Sequence, residues 1–489
     1  MFLDGPSLEP FEPTLSGILN IAFHTGGDVL RERGLSAQAV VGDPSIRRRF
    51  MRACHYGYDL TQREVCRRVV EIEGQILNLE ERVRDARRRR EPGVRAILDL
   101  IRVLQARQLV LRRVVDAILF TTISNRTWVV RRLMIEDKPR RVDRDVLARA
   151  LEVATERNKE DRMNFNVVSD LTTCVHVGDL CELTLSGPNK GWRIIELKEG
   201  RMNAVLHGLI EDAGGALSDE RLSEIEKALG PHSRKQVQRI VRQRRRREGA
   251  ESIIQTDAGM DPKLMQPMRM LPKPVETEGY FEAIHEICAG CRATGFSAAV
   301  LGGCLRMLGV TDNERRRLSV GAASHVFYHL ANPTVECQLK EGGNFQGELA
   351  AVEDSLGFTD LVEHNMESGW GMPIFLWGID ECERMDLIMG RITILVQFDI
   401  EAFFRLAESH GLKLSWIKGA QSEKLREMSH QLPGSPNSRG VRVEFPDGSR
   451  HTLVSGFFAR AVSDLTPPAQ LIQMIQELPE QFRERPSAG

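Results

Sequence analysis

The 489-residue chain lacks an apolar run long enough to cross a bilayer. A transmembrane helix needs roughly 20 consecutive apolar residues, and the best stretch, residues 298–310, is interrupted by Arg306. The first residues are acidic and contain proline, so they lack the basic flank and apolar core of an export signal. The sequence therefore predicts a cytoplasmic protein with no membrane partner.

Cysteine is sparse and scattered. Nine cysteines, an odd number, are spread over the whole chain, which predicts reduced thiols rather than a disulfide framework. Three common catalytic motifs are also absent: the phosphate-binding loop G-x-x-x-x-G-K-[ST], the hydrolase elbow G-x-S-x-G and the zinc motif H-E-x-x-H. A built-in P-loop ATPase, an α/β-hydrolase and a zincin protease are therefore excluded as interpretations.

Lysine is rare as well. Lys+Arg (67) and Asp+Glu (68) nearly cancel, and only 12 of the 67 basic residues are lysine. A GC-rich genome explains such an arginine bias, but guanidinium groups also bind phosphate bidentately. The net charge therefore says nothing about partners, and each arginine cluster has to be judged separately.

The densest basic cluster is predicted to be a helix over residues 233–247. No acidic residue offsets it before Glu248, so it suits contact with a phosphate backbone. A solvated helix end is the alternative interpretation. No aromatic residues are interleaved, so base stacking is not predicted. The predicted nucleic-acid-binding residues are Arg234, Lys235, Gln238, Arg239, Arg242, Arg244 and Arg245.

The N-terminal region, residues 1–142, is predicted to contain a helical hairpin. Apolar residues recur at alternating steps of four and three in a heptad-like seam. Pro92-Gly93 then breaks the first helix before a second apolar stripe begins. Such a hairpin allows a homo-oligomer, although the seam could equally pack within one chain. The seam residues are Val65, Val69, Ile72, Ile76, Leu79 and Val83.

The segment that carries chemistry spans residues 176–199, HVGDLCELTLSGPNKGWRIIELKE. Its pattern predicts strands over residues 174–185 and 192–198 joined by a turn. Asp179 lies early in the first strand, and Glu196 and Lys198 lie near the end of the second. Because strand side chains alternate, Glu196 and Lys198 share one face. Two carboxylates from neighbouring strands can bind one Mg²⁺, which also takes substrate phosphate as a ligand.

Asp179, sixteen intervening residues and the triplet Glu196-Leu197-Lys198 resemble the PD-(D/E)XK nuclease superfamily, which has the restriction-endonuclease-like fold. The resemblance implies a helix before the hairpin, Asp179 and Glu196 as ligands of Mg²⁺ (or Mn²⁺), and Lys198 as the catalytic lysine. It spans roughly residues 143–250, and only the hairpin is specific. An E-x-K triplet alone is common, so a hairpin with a cross-strand ion pair at its end is the alternative.

The resemblance also implies a carboxylate ligand from the helix before the hairpin. Glu152, Glu156 and Glu160 are one turn apart there, and Glu156 is our prediction. Gly178 stands where the family has proline. The family also often has a polar helix after the triplet, for which residues 233–247 are the candidate; about 34 residues separate this helix from Lys198, so the resemblance requires an insertion there.

A second group with metal-like spacing is His285, Cys288 and Cys291. These residues lie in an apolar segment, residues 278–307, that is predicted to be mostly helical, and no second C-x-x-C pair accompanies them. Buried small residues are therefore the preferred interpretation. Residues 441–445 and 451–454 flank Pro446-Asp447-Gly448 and predict a hairpin.

Together these patterns predict a multidomain α+β protein. Its parts are a helical region (residues 1–142), a restriction-endonuclease-like α/β core (143–255), a linker (256–274) and a C-terminal α+β recognition or sensing domain (275–489). The predicted activity is Mg²⁺-dependent endonuclease cleavage, of DNA rather than RNA, in a restriction-like or anti-phage defence role. The alternative is a non-catalytic nucleic-acid-binding or scaffold protein.

Overall fold

The structure is a computed structural model of the whole chain. It describes residues 8–32, 34–135, 141–185, 191–197, 205–206, 208–210, 219–230, 232–263, 265, 267–269, 277–315, 358–369, 371–425 and 440–478. The chain divides into two compact units, the first spanning Pro10–Lys273 and the second containing Pro274–Gly489. Helices and small antiparallel sheets occur in both, as expected of a multidomain α+β protein. No helix in the described ranges has the length and apolarity that a membrane crossing requires.

The first unit begins with helices and continues with a small sheet. The helical region and the α/β core belong to this same unit rather than to two. Its elements are α1 (Glu12–Arg31), α2 (Ala37–Gly42), α3 (Pro44–Arg89), α4 (Val94–Thr122), α5 (Thr127–Leu133), α6 (Arg144–Glu160), β1 (Asn164–Val168), β2 (Leu180–Thr184), β3 (Gly191–Ile195), α7 (Asp219–Leu229), α8 (His232–Thr256), β4 (Ala258–Met260) and β5 (Pro267–Arg269).

Helices α3 and α4 form the predicted hairpin. Asp43 caps α3 by accepting the Ser45 N–H at 2.7 Å, and α3 ends where Arg90 adopts a left-handed conformation (φ 55°). All six seam residues of α3 are buried, and α3 packs against α1 and α4 of the same chain. The seam is therefore used within one chain and is not left exposed for a second copy.

Strands β1, β2 and β3 form an antiparallel sheet in that order, with α6 packed on β1. In the β2–β3 hairpin, Leu180 pairs with Ile195 and Thr184 with Gly191. Strand β1 was not predicted from the sequence. The predicted first hairpin strand, residues 174–185, is shorter in the structure, because residues 174–179 form a buried irregular segment instead.

Helix α8 lies along the free edge of β3. Glu251 Oε1 accepts the Ile194 N–H at 2.7 Å, and Gln255 Nε2 donates to the Trp192 carbonyl at 3.0 Å. These side chains satisfy backbone groups that an edge strand otherwise leaves unpaired. The amino-terminal half of α8 packs on α7 and on two residues that precede it through an apolar cluster containing Leu206, Ile210, Leu222, Ile225, Val237 and Ile240.

The second unit contains a four-stranded antiparallel sheet in the order β6-β7-β9-β8 and a three-stranded sheet β10-β11-β12. The hairpin predicted around Pro446-Asp447-Gly448 is β11–β12. The elements are α9 (Glu278–Thr294), β6 (Phe296–Leu301), β7 (Leu305–Thr311), α10 (Asp312–Arg315), β8 (Phe358–Asp360), α11 (Leu361–Ser368), α12 (Glu381–Ile388), β9 (Ile392–Phe398), α13 (Ile400–Ser409), β10 (Lys413–Trp416), α14 (Ala420–Glu423), β11 (Gly440–Glu444), β12 (Arg450–Val454), α15 (Ser455–Phe458), α16 (Arg460–Ser463) and α17 (Pro468–Gln476).

The prediction that residues 278–307 are mostly helical is wrong beyond Thr294. Helix α9 ends at Gly295, whose φ of 91° is left-handed, and the chain then turns into the β6–β7 hairpin. Glycine adopts this conformation without the steric cost that a side chain brings. The linker predicted over residues 256–274 contains the short paired strands β4 and β5.

Candidate active site

Asp179 and Glu196, here called the acidic pair, lie at the same end of the β2–β3 hairpin. Asp179 immediately precedes β2 and Glu196 immediately follows β3, so the pairing of Leu180 with Ile195 places them side by side. The Asp179 N–H donates to the Ile195 carbonyl at 2.8 Å, and the Leu197 N–H donates to Asp179 Oδ2 at 2.5 Å. Both residues are half-buried. Backbone bonds therefore fix where the Asp179 carboxylate lies.

Gly178 redirects the chain into Asp179. Its φ of 70° is left-handed, and a Cβ there would lie 2.3 Å from Ile194 Cγ2. Proline, fixed near −65°, cannot adopt this conformation. The chain therefore enters Asp179 through a turn that glycine fits and proline does not.

A buried network anchors the segment that leads to Asp179. Asp116 of α4 is fully buried and accepts the Thr173 N–H at 2.8 Å, the Thr173 hydroxyl at 2.5 Å and the Cys174 thiol at 3.2 Å. Its charge is balanced by Arg113, equally buried, at 2.9 Å. Beside Asp116, burial raises the pKa of the Cys174 thiol well above its usual value. The segment before the acidic pair is therefore held by the helical hairpin.

Helix α8 connects the acidic pair to the basic cluster. Gln243 Nε2 donates to Glu196 Oε1 at 2.8 Å. Further along α8, Glu251 contacts Ile194 and Gln255 contacts Trp192. Helix α8 therefore runs antiparallel to β3, from the end of the strand toward its start. Arg239 and Arg247 lie one turn on either side of Gln243 and are its neighbours on the helix surface. The arginine-rich stretch therefore passes the end of the hairpin that carries the acidic pair.

The exposed cations of α8 lie on one face. They recur at steps of three and four residues, which places them on one side of a helix, and none forms an ion pair with a described residue. Gln238 is exposed on the same face. Val237 and Ile240 are buried on the opposite side. This face, which we call the basic stripe, consists of Lys235, Arg239, Arg242 and Arg245.

Two of the predicted binding residues, Arg234 and Arg244, do not belong to the basic stripe. Arg244 is half-buried and pairs with Glu248 at 2.7 Å, and Arg234 is half-buried and lies 3.8 Å from Glu226. Their charges are partly compensated within the chain. The sequence suggested cations all round the helix, whereas burial of its apolar side leaves the exposed ones in a single row.

The structure does not bring Glu156 to the acidic pair. Helix α6 packs through Leu147, Ala150 and Ala154, and Glu152, Glu156 and Glu160 are exposed on its other side. Among the described residues, Glu156, Asp179 and Glu196 do not form a group of ligand atoms within 4.8 Å of one another. Lys198, the predicted catalytic lysine, lies outside the described residues.

Sequence reasoning missed Gln243, Glu251 and Gln255, the α8 residues that bind the hairpin. The signal that the sequence offered is the absence of a positive charge at positions 243, 251 and 255 of this helix. They recur at steps of eight and four, as expected for one helix face that contacts an edge strand. Cys288 and Cys291 are buried in α9, as the sequence interpretation held, whereas His285 is exposed.

Comparison with known protein families, with curated proteins and with solved structures found no match for this chain.

Proposed function

We propose that the chain is a metal-dependent nuclease that hydrolyses phosphodiester bonds, in DNA rather than RNA, at the acidic pair. One observation carries the proposal: the Gln243–Glu196 hydrogen bond joins the acidic pair to the helix that bears the basic stripe. A helix before the hairpin, implied by the family resemblance, is present as α6. The restriction-like or defence role rests on that resemblance alone.

Carboxylate oxygens such as those of the acidic pair are the ligands that a hard divalent cation prefers. Both side chains offer carboxylate oxygens, and each has one oxygen oriented by an N–H donor, Leu197 for Asp179 and Gln243 for Glu196. Hydrogen-bond donors that hold a ligand from behind in this way fix its orientation and are typical of metal sites. Bound there, Mg²⁺ or Mn²⁺ would neutralise phosphate charge and lower the pKa of a coordinated water.

The chain's own residues would perform the remaining work. The basic stripe would hold the phosphate backbone, with Arg239 about one turn, or roughly 6 Å along the axis, from Gln243. Gln243 would hold Glu196 while substrate enters. Lys198, two residues after Glu196, is proposed to offset the negative charge that develops on the phosphate.

Supercoiled plasmid incubated with the purified chain tests the proposal. We expect nicking or linearisation with Mg²⁺ and none with EDTA. Glu196→Gln and Lys198→Ala should each slow cleavage by about 100-fold or more, because each removes a charge from the reacting centre.

Glu182→Gln is the matched control. Glu182 lies on β2 of the same hairpin, but strand alternation directs it away from Asp179 and it pairs with Arg157 of α6 at 3.2 Å, so its variant should cut at nearly the parent rate. If Glu196→Gln and Lys198→Ala cut as fast as Glu182→Gln, the catalytic assignment is wrong. In that case DNA binding without a metal requirement would favour the non-catalytic alternative, which the unpaired cations of the basic stripe also support.

A further inference from the structure

Helices α9 and α12 of the second unit bring one imidazole and two carboxylates together. One ligand atom each from His285, Asp380 and Glu383 lies within 4.8 Å of the others. No other group of three or more His, Cys, Asp or Glu residues in the described part of the chain meets this distance. His285 comes from α9, Asp380 caps α12, and Glu383 lies in the first turn of α12.

Glu383 is the buried member of this group, with 1% of its surface exposed. Its Oε2 accepts the Asp380 N–H at 3.1 Å as half of a capping box. Its Oε1 lies 2.6 Å from His285 Nδ1, the distance of an imidazole–carboxylate ion pair. Arg292 approaches the same oxygen at 4.0 Å. A buried carboxylate is costly without a positive partner, and a bound cation supplies one.

His285 and Glu383 converge from two helices on one point, and at 2.6 Å their ligand atoms are close enough to share a proton. A bound ion would take the place of that proton and move the two atoms to the roughly 3.3 Å that separates two ligands of a tetrahedral site. The side chain of His285 is 61% exposed and Asp380 is also exposed, so an ion can enter from solvent. A capping box beside an imidazole–carboxylate pair is the competing explanation.

The neighbouring thiol does not complete a cysteine site. Cys288, one turn after His285, is buried, and burial raises the pKa of its thiol to about 12, with a further contribution from Glu383. Its sulfur is not among the ligand atoms that lie within 4.8 Å of one another. The ligand set is one nitrogen and two carboxylates.

We propose that His285, Asp380 and Glu383 form a binding site for a divalent transition-metal ion, with Zn²⁺ as the best match. Mixed imidazole and carboxylate ligands suit Zn²⁺ better than Mg²⁺ or Ca²⁺, which prefer oxygen alone. Three protein ligands leave a coordination position for water. The bound ion would fasten α9 to the start of α12, beside the Arg292–Asp386 ion pair (2.7 Å).

Zn²⁺ binding to the full-length chain tests the proposal. Two substitutions should be present in every arm: Cys382→Ser, because Cys382 is an exposed thiol next to the site, and Glu196→Gln, which removes one carboxylate of the acidic pair. After treatment with EDTA and dialysis, calorimetric titration should show about one tight Zn²⁺ site per chain.

Two variants should remove this site. His285→Ala deletes an exposed ligand, and Glu383→Gln keeps the acceptor for the Asp380 N–H but loses the charge. Both should weaken Zn²⁺ binding by about 100-fold or more and abolish the rise in melting temperature that Zn²⁺ gives. His410→Ala, which removes an exposed histidine of the same unit, should behave as the parent.

The proposal is overturned if the parent binds no Zn²⁺, or if His285→Ala and Glu383→Gln bind it as tightly as His410→Ala. Because Glu196→Gln is present throughout, these results are independent of whether the acidic pair cleaves DNA.

Discussion

At the residue scale, Asp116 is the centre of the buried network behind the acidic pair. It receives hydrogen bonds from Thr173 and Cys174 and balances Arg113, all within the first unit. A buried ion pair adds little net stability by itself, but removing one partner leaves an uncompensated charge in the interior. The network is therefore a sensitive point of this unit.

Asp116→Ala should lower the free energy of unfolding by about 3–5 kcal/mol, because it strands the buried Arg113 guanidinium. Urea denaturation followed by circular dichroism measures this change. Asp99→Ala breaks an exposed pair with Arg102 on the same helix and should change stability by less than about 1 kcal/mol. Equal effects of the two substitutions would show that the network is not holding the fold.

Gln243 is expected to act as a positioning residue. Without its hydrogen bond to Glu196 (2.8 Å), that carboxylate loses its orientation, so Gln243→Ala should raise the Mg²⁺ concentration for half-maximal cleavage by about tenfold or more. DNA binding measured in EDTA should be unchanged.

Gln255→Ala is the matched control for Gln243→Ala. It removes the bond to the Trp192 carbonyl, on the same helix and the same strand, but away from the acidic pair. Were it to shift the Mg²⁺ requirement as much as Gln243→Ala, the effect would reflect the packing of α8 rather than the orientation of Glu196.

Glu363 in α11 gives a pH dependence to the second unit. Burial raises the pKa of its carboxyl to about 7, with further contributions from Asp360 and Glu367. A carboxyl whose pKa is higher in the folded state favours folding below its unfolded value, and this contribution is lost as the pH rises through about 7. Ionised Glu363 therefore opposes folding at pH 8.

Glu363→Gln should accordingly raise the melting temperature relative to the parent more at pH 8 than at pH 5. Differential scanning calorimetry at the two pH values measures the difference. Glu408→Gln, at an exposed position of α13, is the control and should give the same small change at both. A pH-independent effect of Glu363→Gln would contradict the raised pKa.

At the scale of elements, α8 has two features, an arginine-rich stretch and a row of contacts with β3, and only the first can be recognised in the sequence. The arginine-rich pattern is visible in the sequence, but the attachment of the helix to β3 is not, because edge contacts depend on tertiary packing. Helix α7 illustrates the opposite case: Gly230, with a left-handed φ of 92°, directly follows Leu229 and is a local end signal that the sequence shows. Caps are local signals, whereas sheet edges are not.

Strand β6 shows why some elements could not be predicted. Its residues Ser297, Ala298, Ala299 and Val300 follow an apolar helix directly, and a short apolar run fits either a helix or a strand. Gly295 was the local signal that separates them. At the candidate site, the sequence placed Asp179 and Glu196 at one end of the hairpin. It also placed Glu156 on one helix face with Glu152 and Glu160, but the spacing does not say whether that face points to the hairpin or to solvent.

The basic stripe predicts a salt dependence. Arg239→Gln with Arg242→Gln removes two of the proposed phosphate contacts, so the slope of log K against log salt should become shallower by about 2. Fluorescence anisotropy with a labelled DNA duplex in EDTA measures it. Arg84→Gln with Arg102→Gln removes the same charge from exposed positions of α3 and α4. An equal change in both pairs would mean that net charge, not the stripe, controls binding.

At the scale of the whole molecule, the chain has two units with separate candidate sites. The first unit contains the acidic pair and the basic stripe, and the second contains the His285, Asp380 and Glu383 group. The sequence predicted a helical region, a core and a C-terminal domain. The contacts of α3 with α6 and β1 join the first two, which no local pattern could reveal because these contacts depend on tertiary packing.

The most direct test of the central claim measures DNA binding and DNA cleavage side by side in Glu196→Gln and in Arg239→Gln with Arg242→Gln. The account predicts that Glu196→Gln binds within about twofold of the parent yet cuts about 100-fold more slowly in Mg²⁺. The double arginine variant should lose binding and regain cleavage at low salt or high protein concentration. Undiminished cleavage by Glu196→Gln, or no Mg²⁺-dependent cleavage by the parent, would contradict it.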